Sequence, residues 1–182
     1  MITWIVAAFY PLEKKEDVFK MEKALNGFLQ EEDYGLTCRS FYESDGSWYV
    51  YVNGESYEIE DDRLHGTLEF IAKNYPDSVC VGSMDNDDIG ETEFYFVNNG
   101  KISSAATWEN KSVGKVANPL LKKGNPGKYA ILYLLRHTPY IPPEFRDVKG
   151  LENLECWDEL EEGSIYSDEI EGIVRRHWGL NK

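Results

Sequence analysis

The chain is predicted to be an α+β protein: a mostly antiparallel sheet with helices on one face, plus a helical extension at its C-terminal end. Three features of the 182-residue sequence predict this. Short β-rich runs recur in groups divided by tight turn signals, the mark of hairpins. Two segments of helical periodicity fall between those groups, where a parallel sheet would need helices alternating with single strands. Hydrophobic residues make up 42% of the chain and aromatics 14%, enough for a packed core and too many for wholesale disorder.

The elements follow in order. Residues 2–9, Ile-Thr-Trp-Ile-Val-Ala-Ala-Phe, are almost continuously apolar, as a strand covered on both faces would be. Between Glu13 and Gln30 the residues Val18, Met21, Leu25, Phe28 and Leu29 recur at helical spacing. Residues 37–42 and 48–52 read as strands joined across Ser44-Asp45-Gly46-Ser47. Asn53-Gly54 is a strong hairpin signal, so residues 56–60 are expected to pair back as a third strand. Asp61 or Asp62 then caps a helix carrying Leu64, Leu68, Ile71, Ala72 and Tyr75, and Pro76 stops it. Short strands follow at 79–81 and 92–97, and Asn98-Asn99-Gly100 turns the chain into a last one near 101–107. A split β-α-β arrangement of the ferredoxin-like kind fits this order best. Residues 110–128, rich in Lys, Gly and Asn, are expected to form a loop or clamp; 129–135 is a buried helix or strand. Leu151, Leu154, Trp157 and Leu160 mark one further helix. Ser167-Asp168-Glu169 opens a last one that ends in Arg175-Arg176-His177 and Gly179. Residues 1–109 thus form the sheet domain, with 110–182 packed on the same body.

Charge narrows the function. The net charge is −14, so phosphate backbones are repelled by most of the surface and direct nucleic-acid binding is disfavoured. The charge is uneven: residues 1–110 hold 22 acids and 8 bases, whereas 111–149 hold 2 acids and 8 bases. Cys38, Cys80 and Cys156 form no paired spacing, which excludes a disulfide framework or zinc ribbon and suits a reducing compartment. No run approaches the length of a membrane helix, and the apolar start lacks the basic flank of a signal peptide. A cytoplasmic location is expected.

The chemistry-bearing residues are acids. Asp85, Asp87, Asp88, Glu91 and Glu93 crowd one connection between strands. It departs from a calcium loop because Ile89 and Phe96 occupy positions that need oxygen ligands. No nucleophile elbow, phosphate loop or histidine cluster is present, so no catalytic residue, metal or cofactor is expected. With Glu58, Glu60, Asp61 and Asp62 at the next strand-to-helix junction, these acids suggest a negative patch. Trp48 and Tyr95 on neighbouring strands are its aromatic anchors, and the partner is a basic protein. The alternative is a phosphate-bearing ligand, or a metal-assisted reaction, held by Lys122, Lys123, Lys128 and Arg136. A third reading is an oligomer built through the C-terminal helices.

Residues 68–77, Leu-Glu-Phe-Ile-Ala-Lys-Asn-Tyr-Pro-Asp, introduce a likeness. A helix stopped by Lys-x-Tyr-Pro-Asp, a short strand, the acidic Asp88-Ile89-Gly90 loop and a strand ending at Asn99-Gly100-Lys101 resemble the ferredoxin-like domain of Api92/YubB-type proteins. The likeness spans about residues 60–105. The Trp-x-Pro-Pro of that family is replaced here by Glu60-Asp61-Asp62-Arg63. The resemblance implies the α+β sheet and a setting on phages or other mobile elements, and it carries no catalytic residues. Together these readings suggest a non-catalytic acidic antagonist, such as an immunity protein or a phage counter-defence protein.

Overall fold

The computed structural model describes residues 1–43, 47–58, 62–106, 110–137 and 165–180. Its centre is a six-stranded sheet with spatial order β2-β3-β1-β4-β5-β6. The strands are β1 (Ile2–Pro11), β2 (Arg39–Glu43), β3 (Ser47–Ser56), β4 (Val79–Asn86), β5 (Glu91–Asn98) and β6 (Lys101–Ala106). Every pairing is antiparallel. Helices α1 (Lys15–Glu31) and α2 (Asp62–Asn74) connect β1 to β2 and β3 to β4. The first four strands and two helices therefore form the expected split β-α-β core, and the β5–β6 hairpin extends it beyond β4. The fold is α+β.

β1 shows why its sequence is unbroken by polar residues. One set of its side chains, Trp4, Val6, Ala8 and Tyr10, packs under α1 and α2 with Val18, Met21, Leu25, Leu64, Leu68 and Ile71. The alternate set, Ile5, Ala7 and Phe9, points to the other face. There the C-terminal extension supplies a second helical layer: α3 (Asn110–Leu121), α4 (Asn125–His137) and α5 (Ile165–Trp178). Residues 129–134 of α4 are buried against Phe9, Val81, Phe94 and Phe96. The helices between strands thus share one face, and the extension covers the opposite one.

Two expectations fail for physical reasons. Asn53-Gly54 makes no hairpin: β3 runs straight through it to Ser56, paired with β1 along its whole length. Gly54 is needed there because the Trp4 indole lies against its Cα, where any Cβ would collide with the ring. Likewise residues 110–128 form no loop. α3 accommodates Pro119 inside its length, and Gly124, at φ +76, reverses the chain into α4. The last turn of α3 meets α4 at Gly127, whose position leaves no room for a Cβ beside the Leu120 carbonyl. β4 and β5 are longer than the sequence suggests, so the acidic connection shrinks to the turn at 87–90.

α5 ends as expected. Gly179 is at φ +66; its N–H donates to the Arg176 carbonyl and that of Leu180 to the Arg175 carbonyl, the paired bonds of a Schellman stop. Trp178 packs partly buried against the second core. Arg175 is buried, its Nε 2.7 Å from Glu171 and its guanidinium 6.0 Å from the Tyr129 ring centre. The expected helix over Leu151–Leu160, with Trp157, lies outside the described residues, as does Cys156.

Candidate functional site: an acidic end of the sheet

The antiparallel order sorts the connections between two ends of the sheet. Ser56 of β3 and Asn86 of β4 both pair with Ile2, so the ends of β3 and β4 flank the start of β1, about 10 Å apart. The turn from β4 to β5, the exit from β3 and the start of α2 therefore share one end. It collects Glu55, Glu58, Asp62, Asp87, Asp88 and Glu91, all exposed, with Asp85 and Glu93 half-buried. Glu60 and Asp61 lie outside the described residues.

The turn is built by local bonds. The Asp88 N–H donates to Asn86 Oδ1 and the Gly90 N–H to the Asn86 carbonyl, with Gly90 at φ +65. Asp88 Oδ2 lies 3.0 Å from the Met1 ammonium, and the Asp87 N–H donates to the Met1 carbonyl. Across from it, the Glu58 N–H donates to Ser56 Oγ at 3.0 Å, a side-chain turn that bends the chain out of β3. Arg63 Nη2 donates to the Glu55 carbonyl at 2.6 Å and ties α2 to the strand end.

Strand alternation sends the half-buried acids to opposite faces. Asp85 accepts a 2.5 Å bond from Thr92 Oγ1 on the face of the C-terminal helices. Burial raises its carboxyl above the usual range and Asp87 adds to the rise, while the Thr92 bond opposes both. Glu93 lies on the α2 face, where the Tyr95 hydroxyl donates to its Oε2 at 2.9 Å. Among the described residues no three His, Cys, Asp or Glu are placed to share a metal ion.

Two apolar side chains stand among the acids. Tyr57 is 87% exposed and Ile89 62% exposed, beyond any other large hydrophobic residue described. Sequence reasoning noted Tyr57 only as one of six aromatics near the acids (Tyr42, Trp48, Tyr49, Tyr51, Tyr57 and Tyr95), chose Trp48 and Tyr95 from them, and did not offer Ile89 as a contact. Ile89 carried a signal, as the apolar residue that broke the calcium-loop pattern; Tyr57 could not be told from the neighbouring aromatics that are packed.

The other selected residues lie elsewhere. Tyr95 is buried, edge-on to His65, and offers no contact surface. Trp48 pairs with Tyr10 at the opposite end of the sheet, where Phe19 meets it edge-on and Lys15 Nζ sits 5.0 Å from its ring centre. Tyr49 and Tyr51 face the C-terminal helices, meeting Tyr133.

The lysines do not converge on one point. Lys123 Nζ donates to Asn99 Oδ1 at 2.6 Å, at the β5–β6 turn. Lys128 Nζ donates to the Trp178 carbonyl at 3.3 Å, where a cation suits the C-terminal end of α5. Lys122 is exposed, and the Arg136 side chain lies outside what is described.

Cys38 and Cys80 are buried. Burial pushes the Cys38 thiol up to about 12, and Glu22 adds to this; burial raises Cys80 as well. Neither supplies a thiolate nucleophile at neutral pH. No described helix is long and apolar enough to cross a membrane. Comparison with protein-family models, curated proteins and solved structures finds no match to this chain.

Proposed function

We propose that this protein is a non-catalytic binding module whose acidic sheet end captures a basic surface on another protein. The observation that carries the reading is the position of Tyr57 and Ile89. Two exposed apolar side chains at one end, ringed by carboxylates, combine anchor and steering in one patch. Charges at a rim accelerate encounter and select the partner; the apolar groups supply contact that persists once water is expelled. An antagonist role, as an immunity protein or a phage counter-defence protein, suits such a surface because nucleic-acid enzymes expose basic sites. The likeness to mobile-element proteins supports that setting.

The partner is identified by recovering the tagged protein from its host lysate at low and high salt. A basic protein held at low salt and released at high salt is expected. Asp87→Lys with Asp88→Lys should weaken its capture about 10-fold or more and flatten the salt dependence. Tyr57→Ala should weaken capture at all salt concentrations. A partner retained equally by all these variants would remove this end of the sheet from binding.

A further inference from the structure

We propose that two copies of this chain join edge to edge through β2, in antiparallel register with Phe41 on the two-fold axis. The inference does not rest on the acidic end.

The hydrogen-bonding direction of β2 follows from the sheet. Asn99 and Gly100 have φ of 52° and 74°, a two-residue turn whose closing pair, Asn98 and Lys101, is a hydrogen-bonded one. Alternation carried through each register leaves the backbone groups of Ser40 and Tyr42 directed away from β3. Among the described residues no strand pairs with that side.

A second β2 can meet these groups in antiparallel fashion when Ser40 stands opposite Tyr42 of the other copy. That register sets Phe41 opposite Phe41 in a non-hydrogen-bonded pair, with Cα atoms about 4.5 Å apart. It also sets Arg39 opposite Glu43 twice, once on each side of the axis. Opposite charges directly across a sheet stabilise, and like charges destabilise. An edge guarded by one cation and one anion resists most strands, yet this orientation matches each guard with its complement.

Phe41 gives independent support. It belongs to a cross-strand aromatic row: its ring centre is 5.5 Å from Tyr49, which is 4.8 Å from Phe9 in the core. Although stacked on Tyr49, Phe41 is 42% exposed, so the row ends open at the sheet edge. The two-fold continues it into the second copy. The other edge, β6, reads Lys-Ile-Ser-Ser-Ala-Ala and offers no charge pairing of this kind. The two-fold also directs the acidic ends of the two copies away from each other, which limits repulsion between chains of net charge −14.

Sedimentation velocity of the full chain over a concentration series tests the proposal, and a reversible dimer is expected. Arg39→Glu places like charges opposite each other twice and should raise the dimer dissociation constant about 10-fold or more. Adding Glu43→Arg to that variant should restore it. Under mild oxidation Phe41→Cys should crosslink two copies beyond the wild-type background, whereas Arg39→Cys, facing position 43, should not. Should Arg39→Glu disturb folding, seen as a changed circular dichroism spectrum, the cysteine pair decides alone. A chain that stays monomeric at all concentrations, or a dimer without the Phe41→Cys crosslink, would overturn the proposal.

Discussion

Asp85 is a half-buried acid whose charge comes at a cost to the fold. Its carboxyl titrates above the ordinary value, chiefly through burial. The folded state therefore holds the proton more tightly than the unfolded chain does. Its contribution favours folding while the group is protonated and is lost as pH rises through the folded value. At neutral pH the charged form is a liability, offset in part by Thr92. Asp85→Asn keeps an acceptor for that hydroxyl and removes the charge. It should stabilise the protein modestly at pH 7, where the buried carboxylate would otherwise be charged. In urea unfolding at several pH values, the gain should fade as pH drops below the folded value. A gain that persists unchanged at low pH would point to packing instead of charge.

At the level of elements, close approaches matter more than propensities. β3 crosses the Trp4 ring at Gly54, and the α3–α4 corner closes on Gly127. Neither glycine has a positive φ, so each is required for space and not for backbone freedom. Gly127→Ala must move the Leu120 carbonyl, which is backbone, and should cost about 2–3 kcal/mol in chemical denaturation. Because α4 carries the buried run at 129–134, the loss should appear as one cooperative transition with a lowered midpoint and an unchanged slope. A separate early transition would show that the second helical layer unfolds apart from the sheet.

For the whole molecule, the two sheet ends differ in kind. One gathers carboxylates around Tyr57 and Ile89; the other has Trp48 under Lys15, with Lys123 at the neighbouring β5–β6 turn. A net charge of −14 opposes compaction through self-repulsion. Thermal stability should therefore rise between about 0.01 M and 0.5 M sodium chloride, as the screening length falls from about 30 Å to under 8 Å. A midpoint that falls over this range would mean that favourable ion pairs outweigh the repulsion. The largely buried Arg175–Glu171 pair, at 2.7 Å, is screened much less than exposed pairs and contributes little to the trend.

The sequence by itself determined the α+β class and the elements β1, α1, α2 and the β5–β6 hairpin. The 3.6-residue periods of α1 and α2, the two-sided apolar run of β1 and the turn signal of the β5–β6 hairpin are local, and each records how its own element is buried or turned. The glycine stop of α5 is local as well. Local pattern could not say what Gly54 was for: a glycine that turns a chain and one that admits a neighbour's indole have the same letter. Nor could it distinguish a basic loop from a helix at 110–121, since the apolar side of α3 is defined only by the sheet it covers. The site was legible as composition and not as geometry. The crowded acids pointed to one end of the sheet, yet alternation split Asp85 from Glu93, buried Tyr95 and sent Trp48 to the far end. Those outcomes depend on strand order and register, which arise from contacts between residues distant in the chain, and only the tertiary structure decides them.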